Sequence, residues 1–398
     1  MPAPAAQIGP AQRMHASARE HDHPMPEPAT SDELDACPPG WNEHWAAVWA
    51  EHRADGLVPC RVTRIDKGGI TVAEHRDDER LVIAAKAVRR VVVGDVCGLD
   101  PVAGRIESIL PRATVFERRS PGVARDQLQL QSRAVAANMD LVYVLQPLDP
   151  GLNPLRLARE LVLAWESGAQ PVVVLTKADK VDADEIERQR ADAQRFAPGV
   201  RVVCTSTKAD GGLDELAGLR GSGHVIALLG ASGAGKSTLV NALAGHQVQL
   251  VAEVRDSDRR GRHTTTAGQI VALSDGSLLI DTPGIRGVGL WNADLGMERA
   301  FDDLVAFVQQ CRFDDCTHTN EPGCGLVAAI DSGQIGADRV AIWRTLAAEL
   351  NDLEDGLEVR GREQRRQKNQ RAKRKAARRD LRVDDNTGID DDPDDEDD

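Results

Sequence analysis

Gly230-Ala231-Ser232-Gly233-Ala234-Gly235-Lys236-Ser237 follows the apolar run 225–229 and precedes Thr238 and a segment, 238–244, with the composition of a helix. The order strand, glycine-rich loop, helix is that of a G-x-x-x-x-G-K-S phosphate loop. Glycine is needed where the backbone approaches phosphate, so that loop N–H groups and the helix N-terminus together hold the β-phosphate. Lys236 is then expected to reach the β- and γ-phosphates, and Ser237 to offer its hydroxyl to magnesium. A nucleoside triphosphate is the expected ligand.

Working outward, apolar runs alternate with helical patterns on both sides of this loop. Runs 141–145, 171–175 and 201–204 alternate with helices near 154–167 and 183–195, and after the loop come runs 269–273 and 278–280. Such βα alternation predicts a parallel sheet covered by helices on both faces, with the ligand at the carboxyl ends of the strands. Upstream, 56–118 carries the short β-type runs 60–65, 69–73, 81–83, 88–93 and 104–109, enough for a small barrel. An OB-type barrel is the natural candidate, and composition does not separate it from an SH3-like one. Trp41, Trp45, Val48 and Trp49 recur at helical spacing and predict a short amphipathic helix before the barrel. The stretch 117–132, rich in Arg, Ser and Gln, reads as a linker. Beyond Trp291 helical periodicity takes over, with a last helix near 338–355.

The base is read from Thr176-Lys177-Ala178-Asp179, at the end of a predicted strand, which resembles the N/T-K-x-D guanine motif. A carboxylate is acceptor-only and takes both N1–H and N2–H of guanine, so Asp179 selects guanine over adenine. The aliphatic stem of Lys177 is expected to lie over the base, and Thr205 and Ser206 to back it with main-chain amides. Asp281-Thr282-Pro283-Gly284 fits D-x-x-G, with Asp281 holding magnesium through water and the Gly284 amide meeting the γ-phosphate. Gly261 to Thr266 (Gly-Arg-His-Thr-Thr-Thr) supplies hydroxyls for a second magnesium ligand. The spacing does not say which threonine serves; Thr265 stands among the candidates. Ile285 occupies the place where many GTPases carry a water-orienting glutamine, and His263 is the candidate catalytic replacement. The base motif precedes the phosphate loop, which is the order of a circular permutation.

Cys311, Cys316, His318 and Cys324 form C-x4-C-x-H-x5-C, one of the closed tetrahedral sets for one structural Zn2+. Seven cysteines, four of them scattered, argue against a disulfide framework and for a reducing cytoplasm. No apolar run approaches the roughly 18 residues of a membrane span, and 1–36 lacks the apolar core of a secretory signal and reads as a disordered tail. The 398-residue chain carries a formal net charge of −14, but 360–379 holds eleven Lys or Arg against one acid, and 384–398 holds ten acids and no base. The basic segment is what a polyanion would meet.

Taken together, the permuted motifs, Val135-Ala-Ala-Asn-Met-Asp140, Gly261 to Thr266 and the cysteine cluster are similar to those of the ribosome small subunit-dependent GTPase A family, also called RsgA or YjeQ. That resemblance covers about 56–355. It implies an OB-fold, a circularly permuted GTPase domain and a zinc domain, acting in late assembly of the small ribosomal subunit, with hydrolysis stimulated by that subunit. The domains expected are a tail (1–40), the barrel with its leading helix (41–118), the GTPase domain (119–298), a helical zinc-binding domain (299–356), and a basic extension with an acidic tail (357–398). The expected cofactors are GTP/GDP, Mg2+ and zinc, and the expected partners are the 30S subunit and 16S rRNA, with no membrane contact and a monomeric chain. The competing reading is an RNA-binding assembly module that uses GTP and GDP only as a sensor.

Overall fold

The structure, a computed structural model, describes residues 37–66, 68–75, 78–86, 88, 90–119, 132–245, 268–281, 290, 293–314 and 316–351. The chain opens with helix α1 (Glu43–His52), whose N-terminus is capped by Asn42 accepting from the Trp45 amide. Trp45 is buried, and with Trp41, Val48 and Trp49 it packs on Val96 and Leu110. Of the tryptophans read from the sequence at helical spacing, Trp45 is therefore a core residue, and Trp41 and Trp49 pack partly buried against it.

Five strands follow: β1 (Val58–Asp66), β2 (Gly69–Ala73), β3 (Glu79–Ala84), β4 (Val96–Asp100) and β5 (Arg105–Ile109). Their order is β1-β2-β3-β5-β4, and β4 returns to pair with β1, which closes the barrel; β3 and β5 run parallel and the other pairs antiparallel. This is the closure of an OB-type barrel. Cys60, Val62, Val72, Val82, Cys97, Leu99 and Ile106 fill it.

The expected strand at 88–93 is not formed, and the fourth strand lies at Val96–Asp100 instead. Its apolar residues are drawn into a turn. The buried Asp95 carboxylate accepts from the Val92 amide at 2.8 Å and is gripped by Arg112 at 2.7 Å and 2.9 Å. Arg90 and Gly94 both take positive φ. Gly94 has to be glycine twice over, because at φ +92 a Cβ would also lie 2.0 Å from the Ala137 carbonyl oxygen. The ends of the expected linker at 117–132 are likewise strand: 117–119 belong to β6 (Val115–Arg119) and 132 to β7 (Ser132–Ala137), which pair as a separate two-stranded sheet.

The second half is built on β8 (Leu141–Pro147), β9 (Gln170–Thr176), β10 (Arg201–Cys204), β11 (Val225–Gly230), β12 (Gly268–Ala272) and β13 (Leu278–Asp281). The order β10-β9-β8-β11-β13 is parallel throughout. The sheet as a whole is mixed, because β12 runs antiparallel to β13 and also pairs with barrel strand β1, at Arg64↔Gln269 and Ile65↔Gly268. Barrel and parallel sheet are thus one hydrogen-bonded surface.

Both faces of the parallel strands are covered, so successive side chains enter different cores. Val142, Val144 and Val173 pack with Leu157, Leu161 and Val162 of α2 (Pro154–Glu166), while Tyr143, Leu145, Val172 and Val174 pack with Leu239, Val240 and Leu243 of α5 (Lys236–Ala244). Between them in sequence lie α3 (Ala183–Phe196) and the short α4 (Asp214–Ala217). After β13 the chain turns helical: α6 (Asp294–Ala300), α7 (Asp302–Val308), α8 (Gly325–Asp331), and α9, described over 337–351. Arg339, at the start of α9, is buried; it donates to both carboxylate oxygens of Asp303 and to the carbonyls of Phe196 and Ala300, and lies over the Phe301 ring. One side chain so ties α9 to α7 and to the end of α3. Among the described residues no helix is long and apolar enough to cross a membrane.

Candidate nucleotide site and cysteine cluster

The glycine loop leaves β11 at Gly230 (φ +147) and enters α5 at Gly235 (φ +92). A Cβ on Gly230 would lie 2.9 Å from the Leu145 carbonyl oxygen, so only glycine lets the loop start this close to β8. Gly235 caps α5 without a side-chain hydrogen bond, which leaves the first-turn amides directed out of the helix end. The Lys236 ammonium donates to the carbonyls of Gly230 and Ala231, both at 2.5 Å. Ser232 and Gly233 span the loop, and Ser237 and Thr238 lie in the first turn of α5. Asp281 ends β13, which neighbours β11 in the sheet.

The base motif meets the loop from the other side. Thr176 ends β9, and its buried hydroxyl donates to the Ala234 carbonyl at 2.8 Å. Lys177 takes a left-handed conformation (φ 62) and begins a 3-10 turn, Ala178–Lys180, that carries Asp179. Ser206 donates its hydroxyl to Asp179 Oδ1 at 2.8 Å, while Ser206 Oγ itself accepts from the amides of Lys208 and Ala209. The Ala178 amide donates to the Thr205 carbonyl. Residues 58 apart in sequence are thereby one constellation, in which a carboxylate suited to guanine's two donors stands beside a loop suited to phosphate.

Cys311, Cys316, His318 and Cys324 also converge: their ligand atoms all lie within 4.8 Å of one another. Cys311 Sγ is 3.3 Å from His318 Nδ1 and 4.0 Å from Cys324 Sγ. With Zn–S bonds of about 2.3 Å, the sulfur–sulfur edge of a tetrahedron is about 3.8 Å, close to the Cys311–Cys324 separation, so the donor set suits zinc. His318 is presented by a positive-φ backbone, its carbonyl accepts from Arg344, and its ring meets the Trp343 edge. The Gly325 amide, at the start of α8, donates to Cys311 Sγ, as a thiolate would favour.

These observations are matched by relatives. The model of the RsgA GTPase family fits residues 109–291. The small ribosomal subunit biogenesis GTPase RsgA of Streptomyces avermitilis is 43% identical over 319 residues, 78% of this chain and 85% of that protein. Its namesake in Streptomyces coelicolor is 42% identical over 330 residues, 81% and 88% of the two chains. The chain belongs to the RsgA family. Among solved structures, YjeQ from Thermotoga maritima superposes with a TM-score of 0.57 at 25% identity, covering 74% of this chain and 98% of its own. YloQ, a circularly permuted GTPase, superposes with 0.53 at 22% identity, covering 76% and 97%. The RsgA fold accounts for the reversed order of motifs, since the sheet neighbours β9, β8, β11 and β13 bring them together wherever the chain is cut.

Not every expected residue can be placed. His263, Thr265, Gly284 and Ile285, the segment 261–266, both tails and the basic stretch 360–379 lie outside the described residues. One pair at the site was missed in the sequence. Gln146, buried at the end of β8, donates to Glu160 Oε2 at 2.6 Å. Burial pushes the Glu160 carboxyl up to about 7, against the hydrogen bond from Gln146 and the charges of Lys236 and Arg156. A signal existed: Glu160 lies between Leu157 and Leu161 on the apolar face of α2, where an acid has to be explained.

Proposed function

We propose that this chain hydrolyses GTP to GDP in late maturation of the small ribosomal subunit, binding 16S rRNA and turning over faster when docked on the 30S particle. The observation that carries the reading is the Thr176 hydroxyl on the Ala234 carbonyl, which joins a guanine-selecting motif to a phosphate loop. In this reading Thr176, Lys177, Ala178, Asp179, Thr205 and Ser206 hold the base, and residues 230–238 hold the phosphates. Ser237, with Asp281 through water, holds Mg2+, which neutralises developing phosphate charge. Cys311, Cys316, His318 and Cys324 hold a structural zinc. The names of the Streptomyces relatives support the ribosomal assignment. The barrel, the zinc-binding lobe and the basic stretch are the surfaces assigned to RNA, with the protein acting as a cytoplasmic monomer.

The test is GTP turnover by the full chain with and without purified 30S subunits. Stimulation is expected, and His263→Ala is expected to abolish most of it while GTP affinity persists, because a switch group positioned by docking acts on the attacking water. Equal turnover with and without subunits would leave the sensor reading standing. Undiminished stimulation of the His263 variant would move the catalytic role to a group from the ribosome.

A further inference from the structure

Beside the strand ends that anchor the phosphate loop, a buried amide holds an acid. Parallel register sets Leu145 of β8 against Gly230, and Gln146 against Leu175, the residue before Thr176. Gln146 therefore sits between the two anchors of the loop: the Leu145 carbonyl that abuts Gly230, and the Thr176 hydroxyl that holds Ala234. Gln146 is 1% exposed and its amide donates to Glu160 Oε2. The charged groups that act on Glu160 are Lys236, from the start of α5, and Arg156, one turn earlier on its own helix. Neighbouring Arg159 is engaged with Glu349 of α9. A negative charge here supports Lys236 when the lysine is turned toward its own loop carbonyls, but opposes phosphate oxygens that would draw the same lysine outward.

We propose that Glu160 is a positioning residue of the phosphate loop, acting through Lys236: ionised, its carboxylate competes with nucleotide phosphate for that ammonium, and a proton is taken up at Glu160 as the nucleotide binds. This inference rests on the nucleotide reading of the site. No covalent bond changes; the proton comes from solvent, and Gln146 donates to the carboxyl in either state. The sign follows from the charges. Below about 7 the carboxyl is already neutral and binding is strong, and above it binding must bear the cost of protonation or of repulsion, so affinity falls as pH rises. Glu160→Gln retains an acceptor for the Gln146 amide and removes the charge.

The experiment is calorimetric titration of the full chain and of Glu160→Gln with GDP and magnesium, at several pH values between about 6 and 8. The parent is expected to lose about three- to tenfold in affinity relative to the variant across that range, a unit of pKa change being tenfold. Repeating the titration near pH 8, in buffers of different ionisation enthalpy, should show proton uptake by the parent and none by the variant. Identical pH slopes in both proteins overturn the role of Glu160. If the variant does not fold, zero proton uptake by the parent overturns it alone. A parent that binds no GDP at any pH overturns the nucleotide reading itself, and is distinguishable from the other failures.

Discussion

Asp179 is oriented by one hydroxyl. Ser206 donates to its Oδ1, and Ser206 is itself fixed by two amides of the following turn. If that carboxylate reads guanine, Asp179→Asn replaces an acceptor by a donor that faces guanine's own donors. A charged hydrogen bond is worth about 1.5–3 kcal/mol, so GTP affinity is expected to fall at least about tenfold, while xanthosine triphosphate, which presents an acceptor there, gains. Equal GTP affinity in parent and variant, measured by competition against GDP, would remove Asp179 from base recognition. The identities of these residues were legible in the sequence because guanine and phosphate each demand particular atoms. What was not legible is how they are held. The Thr176 hydroxyl could as well have faced the base, and the Ala234 carbonyl it meets belongs to a residue with no polar side chain to announce it.

At the scale of elements, the strands around the phosphate loop could be read because each is an apolar run buried on both faces. The barrel was harder. Val91, Val92 and Val93 have the composition of a strand, yet the Asp95 carboxylate captures the Val92 amide and Arg112 captures the carboxylate, so a turn wins. The side chain of Arg112, 17 residues from Asp95, helps to hold the turn, and a local reading of the run does not include it. The pairing of β6 with β7 was obscured for a related reason: its Arg118 opposes Arg133, a like-charge pair that propensity would not favour. Gly94 tests the reading of the turn. Gly94→Ala sets a methyl against the Ala137 carbonyl in a left-handed backbone, and is expected to cost about 1–3 kcal/mol. Urea unfolding of parent and variant would measure it, and an unchanged midpoint would show that the barrel and β7 separate more readily than this contact implies.

For the molecule as a whole, the cysteine cluster is not an appendage. Cys316 and Cys324 belong to the same apolar core as Leu157, Val173 and Leu346. If the set holds zinc, Cys324→Ser is expected to lower metal content from one ion per chain and to lower the thermal midpoint by several degrees, because one buried ligand is lost from a site that couples binding to folding. Full zinc content in the variant, by atomic absorption, would exclude the cysteine as a ligand.

The hydrogen bonds between β1 and β12 have a consequence for the order in which the protein is made. β1 shares its second edge, the side away from β2, between two partners: its first residues pair with β4, which closes the barrel, and Arg64 and Ile65 pair with Gln269 and Gly268. β4 leaves the ribosome soon after β1, but β12 follows about 200 residues later, a delay of about 10–40 seconds at bacterial elongation rates. Throughout that interval the nascent barrel is closed and yet presents a short unpaired edge, the kind of surface on which neighbouring chains aggregate. The residues at that edge are Arg64 and Ile65, and Arg64 is ion-paired with Asp66 beside them. That charge guards the growing chain until its own strand arrives.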